Sequence, residues 1–212
     1  MIFSTPKSLV RLAAVAPAIV LLGSMLAPSA SFAQTPEFVR VRGSIVGLDG
    51  SALTVKSRQG TDVTVKLAED LRVSTVVKAS ISDIKPGVFI GTAAAPKDGA
   101  SHAIEVLIFP EALRGAGEGD RPWDLTPNST MTNGTIGSAV EGVDGPTVTV
   151  AYKGGERKVT IGPDTPVVTL GPADKSDIKP GTVVFLTARK QEDGSLSANS
   201  VTVGKNGVVP PM

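Results

Sequence analysis

The six residues Ser82-Asp83-Ile84-Lys85-Pro86-Gly87 recur unchanged as Ser176-Asp177-Ile178-Lys179-Pro180-Gly181, 94 positions later. At the same offset Gly43-Ser44 and Asp70 reappear as Gly137-Ser138 and Asp164. One residue further on, Asp49-Gly50, Thr54-Val55, Asp98-Gly99 and Ala103 reappear as Asp144-Gly145, Thr149-Val150, Asp193-Gly194 and Ala198. Collinear matches with single-residue slips mark a duplicated structural unit. The two copies run over 37–109 and 134–205, with a Gly/Pro-rich connector over 110–133 and a tail over 206–212.

Within each copy the hydrophobic period is two, the mark of strands with one buried face. Leu53 and Val55 alternate with Thr54 and Lys56, and Val63, Val65 and Leu67 alternate with Thr64 and Lys66. The second copy repeats this with Val148, Val150 and Tyr152, then Val159 and Ile161. The Asp-Gly pairs at 49, 98, 144 and 193 predict hairpin turns, because Asp and Gly tolerate positive φ. Each Ser-Asp-Ile-Lys-Pro-Gly element predicts a short capped helical turn ending in a Pro-Gly turn. The fold class expected is all-β: two tandem small OB-like β-barrels, each of five to six short strands and each built from one repeat. A repeat of this length has a thin core, so the repeats or the connector should pack together.

An N-terminal signal peptide over 1–33 precedes them. Lys7 and Arg11 lie before the apolar stretch 12–26, and Ser31 and Ala33 present small residues for cleavage before Gln34. Pro17 interrupts the stretch, which is shorter than the roughly 20 residues of a membrane span. Export to the bacterial periplasm, or secretion, is therefore expected, with no membrane span after cleavage. The formal charge of +1 drops to about −1 once Lys7 and Arg11 are removed. Neither value gives the basic footprint of a nucleic-acid binder.

The chain resembles a family of uncharacterised exported bacterial proteins that carry a β-rich domain of unknown function. The resemblance rests on the strand–Asp-Gly–strand opening, the Lys-Pro-Gly turn, and Ala103 or Ala198 before the last strand. It extends to Phe109-Pro110-Glu111-Ala112-Leu113-Arg114-Gly115 and Arg121-Pro122-Trp123-Asp124 in the connector. It implies an OB-like fold and offers no assigned activity and no catalytic residues. Some relatives carry transporter-permease labels, which a chain without a second long hydrophobic segment contradicts.

With no cysteine there is no disulfide, thiol nucleophile or Cys-ligated metal. The single histidine, His102, corresponds to Ser197 in the second repeat, so it belongs to no repeated site and is expected on the rim rather than on a metal. Asp174 and Asp177 read as turn caps before they read as an acid–base pair. The Asp-Gly pairs lack the alternating acids of a calcium loop. No phosphate-binding glycine loop and no nucleophile elbow occurs. No cofactor is expected.

The connector holds the candidate site. Arg114, Arg121, Glu118, Asp120 and Asp124 crowd around Trp123, the only tryptophan, and Tyr152 from the second repeat is grouped with Trp123, Arg114, Arg121 and Asp124 as the candidates. An indole among guanidinium groups suits stacking on a sugar or anchoring of a protein partner, whereas burial would make it filling between two barrels. The function expected is an exported, non-enzymatic binding or assembly module of the periplasm. Its partner would be an envelope protein or an oligosaccharide, not nucleic acid. The alternatives are a carboxylate-only hydrolase of envelope glycans and a purely structural envelope protein.

Overall fold

Burial along the strands follows the period of two: Leu53 and Val55 are fully buried between exposed or half-buried neighbours, and so are Val148 and Val150. The computed structural model describes residues 36–210, and the leader read at 1–33 lies outside the described residues. The described chain is all-β. Its strands are β1 (Phe38–Asp49), β2 (Ala52–Ser57), β3 (Asp62–Lys78), β4 (Phe89–Lys97), β5 (Ala100–Ile108) and β6 (Gly119–Pro122). They continue as β7 (Thr130–Val140), β8 (Thr147–Tyr152), β9 (Gly155–Thr160), β10 (Val167–Pro172), β11 (Val183–Lys190) and β12 (Leu196–Val203). Among the described residues no helix is long and apolar enough to cross a membrane.

Each Asp-Gly pair sits at a hairpin turn, between β1 and β2, β4 and β5, β7 and β8, and β11 and β12. Between β4 and β5 both Asp98 (φ 51°) and Gly99 (φ 79°) are left-handed, the conformation of a tight two-residue hairpin. The Ser-Asp-Ile-Lys-Pro-Gly elements form 3-10 turns at Ile81–Asp83 and Lys175–Asp177. Their acids are caps: Asp83 accepts from the Ser80 amide at 2.9 Å and Asp177 from the Asp174 amide at 3.0 Å.

The pairing of strands departs from one barrel per repeat. Strands β1, β2 and β3 pair in sequence, β3 meets β12 in parallel, β12 pairs with β11, and β11 returns to β1. This ring of five strands is closed. Three of its strands come from the first repeat and two from the second. The last two strands of the first repeat go elsewhere: β4 pairs with β7, β7 with β8 and β8 with β9, while β5 touches β9 at His102 and Thr160. Strand β10 links the two sets, antiparallel to β3 and parallel to β5.

The cores mix the repeats accordingly. One joins Val41, Leu53 and Val65 to Val184, Leu186 and Val201, and another joins Ile90 and Val106 to Ile136, Val148 and Val159. The physical reason lies in β4. Phe89 to Ala94 are buried on both faces. Phe89 packs edge-on against Phe109 at 5.4 Å on one side, while Ile90 and Ala94 enter the core on the other. Strand β11 alternates instead, and fits beside β1, whose outer face carries Arg40 and Arg42. Close approach also fixes two glycines of the rings, since a Cβ on Gly43 or Gly134 would run into the carbonyl of Lys56 or Ala151.

The connector is more ordered than a Gly/Pro-rich joint. It contains β6, which pairs with β7, and its last residues are the start of β7 itself. Asp120 of β6 takes two hydrogen bonds from Arg157 of β9, at 2.9 and 2.6 Å, and one from Thr132 at 2.6 Å.

Candidate binding site

Strand alternation turns Val39 and Val41 toward the core and leaves Arg40 and Arg42 together on the outer face of β1. Trp123, directly after β6, is laid against them. Its backbone is clamped on both sides: its amide donates to the Ser129 carbonyl at 2.8 Å and its carbonyl accepts from the Ser129 hydroxyl at 3.0 Å. The guanidinium of Arg40 lies 3.7 Å from the indole centroid, that of Arg121 5.5 Å and that of Arg42 5.7 Å. Arg42 also lies 5.2 Å from the ring of Phe185 on β11, so both repeats build the site. The negative face of an aromatic ring attracts such cations, which is what lets three of them share one small area.

Two carboxylates act on these cations: Asp124 on Arg40 and Arg42, and Asp120, itself bonded to Arg157, on Arg121. Asp124 accepts from Arg42 at 2.9 Å and pairs with Arg40 at 3.6 Å. Burial pushes the Asp124 carboxyl up, but the Arg42 hydrogen bond and the charges of Arg42 and Arg40 outweigh it, and the group titrates below the usual aspartate range. Asp120 behaves alike, with burial opposed by Arg157 and Thr132. For Arg121 burial and the nearby charge of Arg40 lower the pKa, outweighing the charge of Asp120, which raises it.

A carboxylate with a depressed folded-state pKa stabilises the fold at neutral pH and stops doing so as pH falls through that value. The denaturation midpoint in urea should therefore hold from neutrality down to the usual aspartate range and drop below it. Asp124→Asn should flatten that drop by about 1 kcal/mol, a figure discounted for a side chain half open to solvent.

Beside the cluster a groove of about 530 Å³ opens between residues 39–42 of β1 and the β2–β3 turn. Arg58 and Gln59 stand exposed on the turn, and Asp124 and Leu125 close one side. β2 ends at Ser57, opposite Gly43, and the chain turns away after the Arg58 amide bonds the Arg42 carbonyl, so β1 runs on without a β2 partner here.

Of the residues singled out from sequence, Trp123, Arg121 and Asp124 come together. Arg114 and Tyr152 do not join them. Arg114 holds Glu111 at 2.6 Å, the Gly87 carbonyl at 3.0 Å and the Thr135 hydroxyl at 3.3 Å, and lies 6.0 Å from the Phe89 ring. Tyr152 ends β8 and covers Gly155 across the β8–β9 turn. Arg40, Arg42 and Phe185 were missed; the Val-Arg-Val-Arg alternation over 39–42 was the available signal for the first two. The idea of an open indole stacking on a sugar also changes. Arg40 lies over the ring, and the buried Trp123 Nε1 has no acceptor among the described residues. The indole is a platform that orders arginines.

A second cleft, of about 730 Å³, gathers His102 with Asp98, Asp144 and Asp164. All three acids sit in exposed turns. Among the described residues no three His, Asp or Glu side chains are placed to hold a metal ion. Comparison with protein-family models, with curated proteins and with solved structures finds no match to this chain.

Proposed function

We propose that this protein is an exported, non-enzymatic binding module of the bacterial envelope, and that its ligand occupies the groove beside Trp123. The observation that carries this reading is the set of Arg40, Arg42 and Arg121 around one indole, with Arg40, Arg42 and Asp124 lining a groove of ligand size. Preorganised cations in excess of their counter-charges are costly to assemble, and a ligand that supplies the missing negative charge repays that cost. Export is inferred from the leader at 1–33.

Both strand sets are read here as OB-like. In the ring β1-β2-β3-β12-β11 the order is that of an OB barrel, with the fourth and fifth strands donated by the second repeat. The set β7-β8-β9-β5-β4 follows the same order with strands donated by the first. Barrels of this type hold extended ligands on an open face, and that analogy supports binding without naming the ligand. The carboxylate-only hydrolase retains one feature in its favour, the cleft with Asp98, Asp144 and Asp164. Hydrolysis of envelope glycans that Asp144→Asn abolishes would move the function there.

Trp123 is the only tryptophan, so its emission reports this site alone. Titration with neutral and acidic oligosaccharides and with peptides should give a saturable change with one class, and Trp123→Phe should remove the signal. A folded protein whose emission no class moves would contradict the reading.

A further inference from the structure

We infer, building on the binding reading above, that the groove takes an oligosaccharide bearing carboxylate groups. Asp124 already displays the recognition chemistry: a carboxylate held by Arg42 at 2.9 Å and Arg40 at 3.6 Å. Asp124 is shared between Arg40 and Arg42, while Asp120, the other acid of this surface, is already bonded twice to Arg157. Arg121 donates to the Gly117 carbonyl at 2.8 Å, and the acid whose charge reaches it, Asp120, is held by Arg157. Arg58 lies on the groove wall, exposed to solvent. A ligand carboxylate entering along β1 therefore meets Arg40 and Arg58 with hydrogen-bonding capacity to spare, and charge-assisted bonds to guanidinium are the strong ones.

The rest of the lining suits a saccharide. Ser57, Gln59 and Thr61 bring hydroxyl and amide groups to one wall, while Val39, Val63 and Leu125 offer apolar surface for the C–H faces of sugar rings. The volume is within the range of sites for small molecules and short oligomers, about 300–1,000 Å³. An acidic peptide is the weaker fit. Peptides gain affinity by adding a strand to an open edge. Here the edge of β1 facing β2 is free only ahead of Arg42, whose carbonyl already accepts from the Arg58 amide at 3.2 Å. Asp124 and Leu125 share the same space. Nucleic acid would need exposed aromatic platforms, and the one indole lies under Arg40.

The test is calorimetry on the purified protein with Trp123 emission followed in parallel. The probes are hexameric oligogalacturonate, maltohexaose as its neutral counterpart, and hexaglutamate. Oligogalacturonate should bind saturably and weaken as salt is raised, since screening reduces the charge attraction. Maltohexaose should not bind, and hexaglutamate should bind more weakly than oligogalacturonate. Arg58→Ala, an exposed turn substitution, should lower oligogalacturonate affinity about tenfold with an unchanged melting curve. Asp124→Asn, which vacates the internal carboxylate, should raise it.

Equal binding of maltohexaose, tighter binding of hexaglutamate, or indifference to Arg58→Ala would overturn the inference. If maltohexaose or hexaglutamate binds and moves the Trp123 emission, the binding reading stands while the acidic saccharide falls. If no probe gives heat or moves the emission, both fall.

Discussion

Expressed separately, residues 36–116 and 117–210 should each fail to give a cooperatively unfolding β protein, and mixing them should restore one. The closed ring takes Val184, Leu186, Val201 and Val203 from the second half of the chain, all nearly or fully buried. Full burial of such side chains contributes about 1.5–3 kcal/mol each. Their loss is comparable with the entire stability of an ordinary domain, about 5–15 kcal/mol. Strands β1 and β3 would also lose their pairing to β11 and β12, leaving two open edges. The alternative for an isolated first repeat is to fold its own β4 against β1. That would strand the apolar outer face of β4, now covered by Phe109, beside the arginines of β1. Circular dichroism and thermal melting of each half, then of the mixture, measure this directly. Two independently melting halves would contradict the exchange of hairpins between the repeats.

The second large effect is expected at Arg42. Its side chain is only 10% exposed, it bonds Asp124 at 2.9 Å, and it sits against both Trp123 and Phe185. Arg42→Ala removes these contacts together, leaves Asp124 with the longer Arg40 pair alone, and opens a gap between β1 and β11. The cost should be about 2–3 kcal/mol, which for a chain of this size is a fall in Tm of roughly 4–12 °C. Arg40→Ala should cost less, about 1 kcal/mol, because Arg40 is 28% exposed and its pair with Asp124 is longer. Arg42→Lys should recover only part of the loss, since an ammonium lacks the planar face that lies against the rings. Equal melting temperatures for Arg42→Ala and the parent would show that the cluster does not couple the connector to β1.

The local structure was legible in the sequence. Period two gave the strands, the four Asp-Gly pairs gave the hairpin turns, and Asp83, Asp174 and Asp177 lie in the capped turns expected of them. The pairing partners were not legible, and the recurrence of one six-residue segment is the reason. The same six residues precede β4 and β11, so nothing local states which ring each following hairpin will complete. The two strands differ in their far faces, apolar and buried in β4 but half-buried to exposed in β11.

The site was half legible for a similar reason. Arg121 and Asp124 are neighbours of Trp123 in sequence, but Arg42 reaches Asp124 across 82 positions. Arg114 was drawn in by proximity, and the chain between it and Trp123 turns through left-handed Gly115, Gly117 and Gly119, which send Arg114 to Glu111 and the Gly87 carbonyl.

The absence of native cysteine makes the strand exchange open to one direct measurement. Ser44 on β1 lies opposite Val183 on β11, whereas one barrel per repeat would set Ser44 opposite Phe89, the residue at the corresponding repeat position. Directly opposed strand positions are close enough for a disulfide. Ser44→Cys/Val183→Cys should oxidise quantitatively within one chain, seen as a mobility shift on non-reducing gels and a raised Tm. Failure of that pair to close, with ready closure of Ser44→Cys/Phe89→Cys, would contradict the exchange and with it the joint construction of the arginine site.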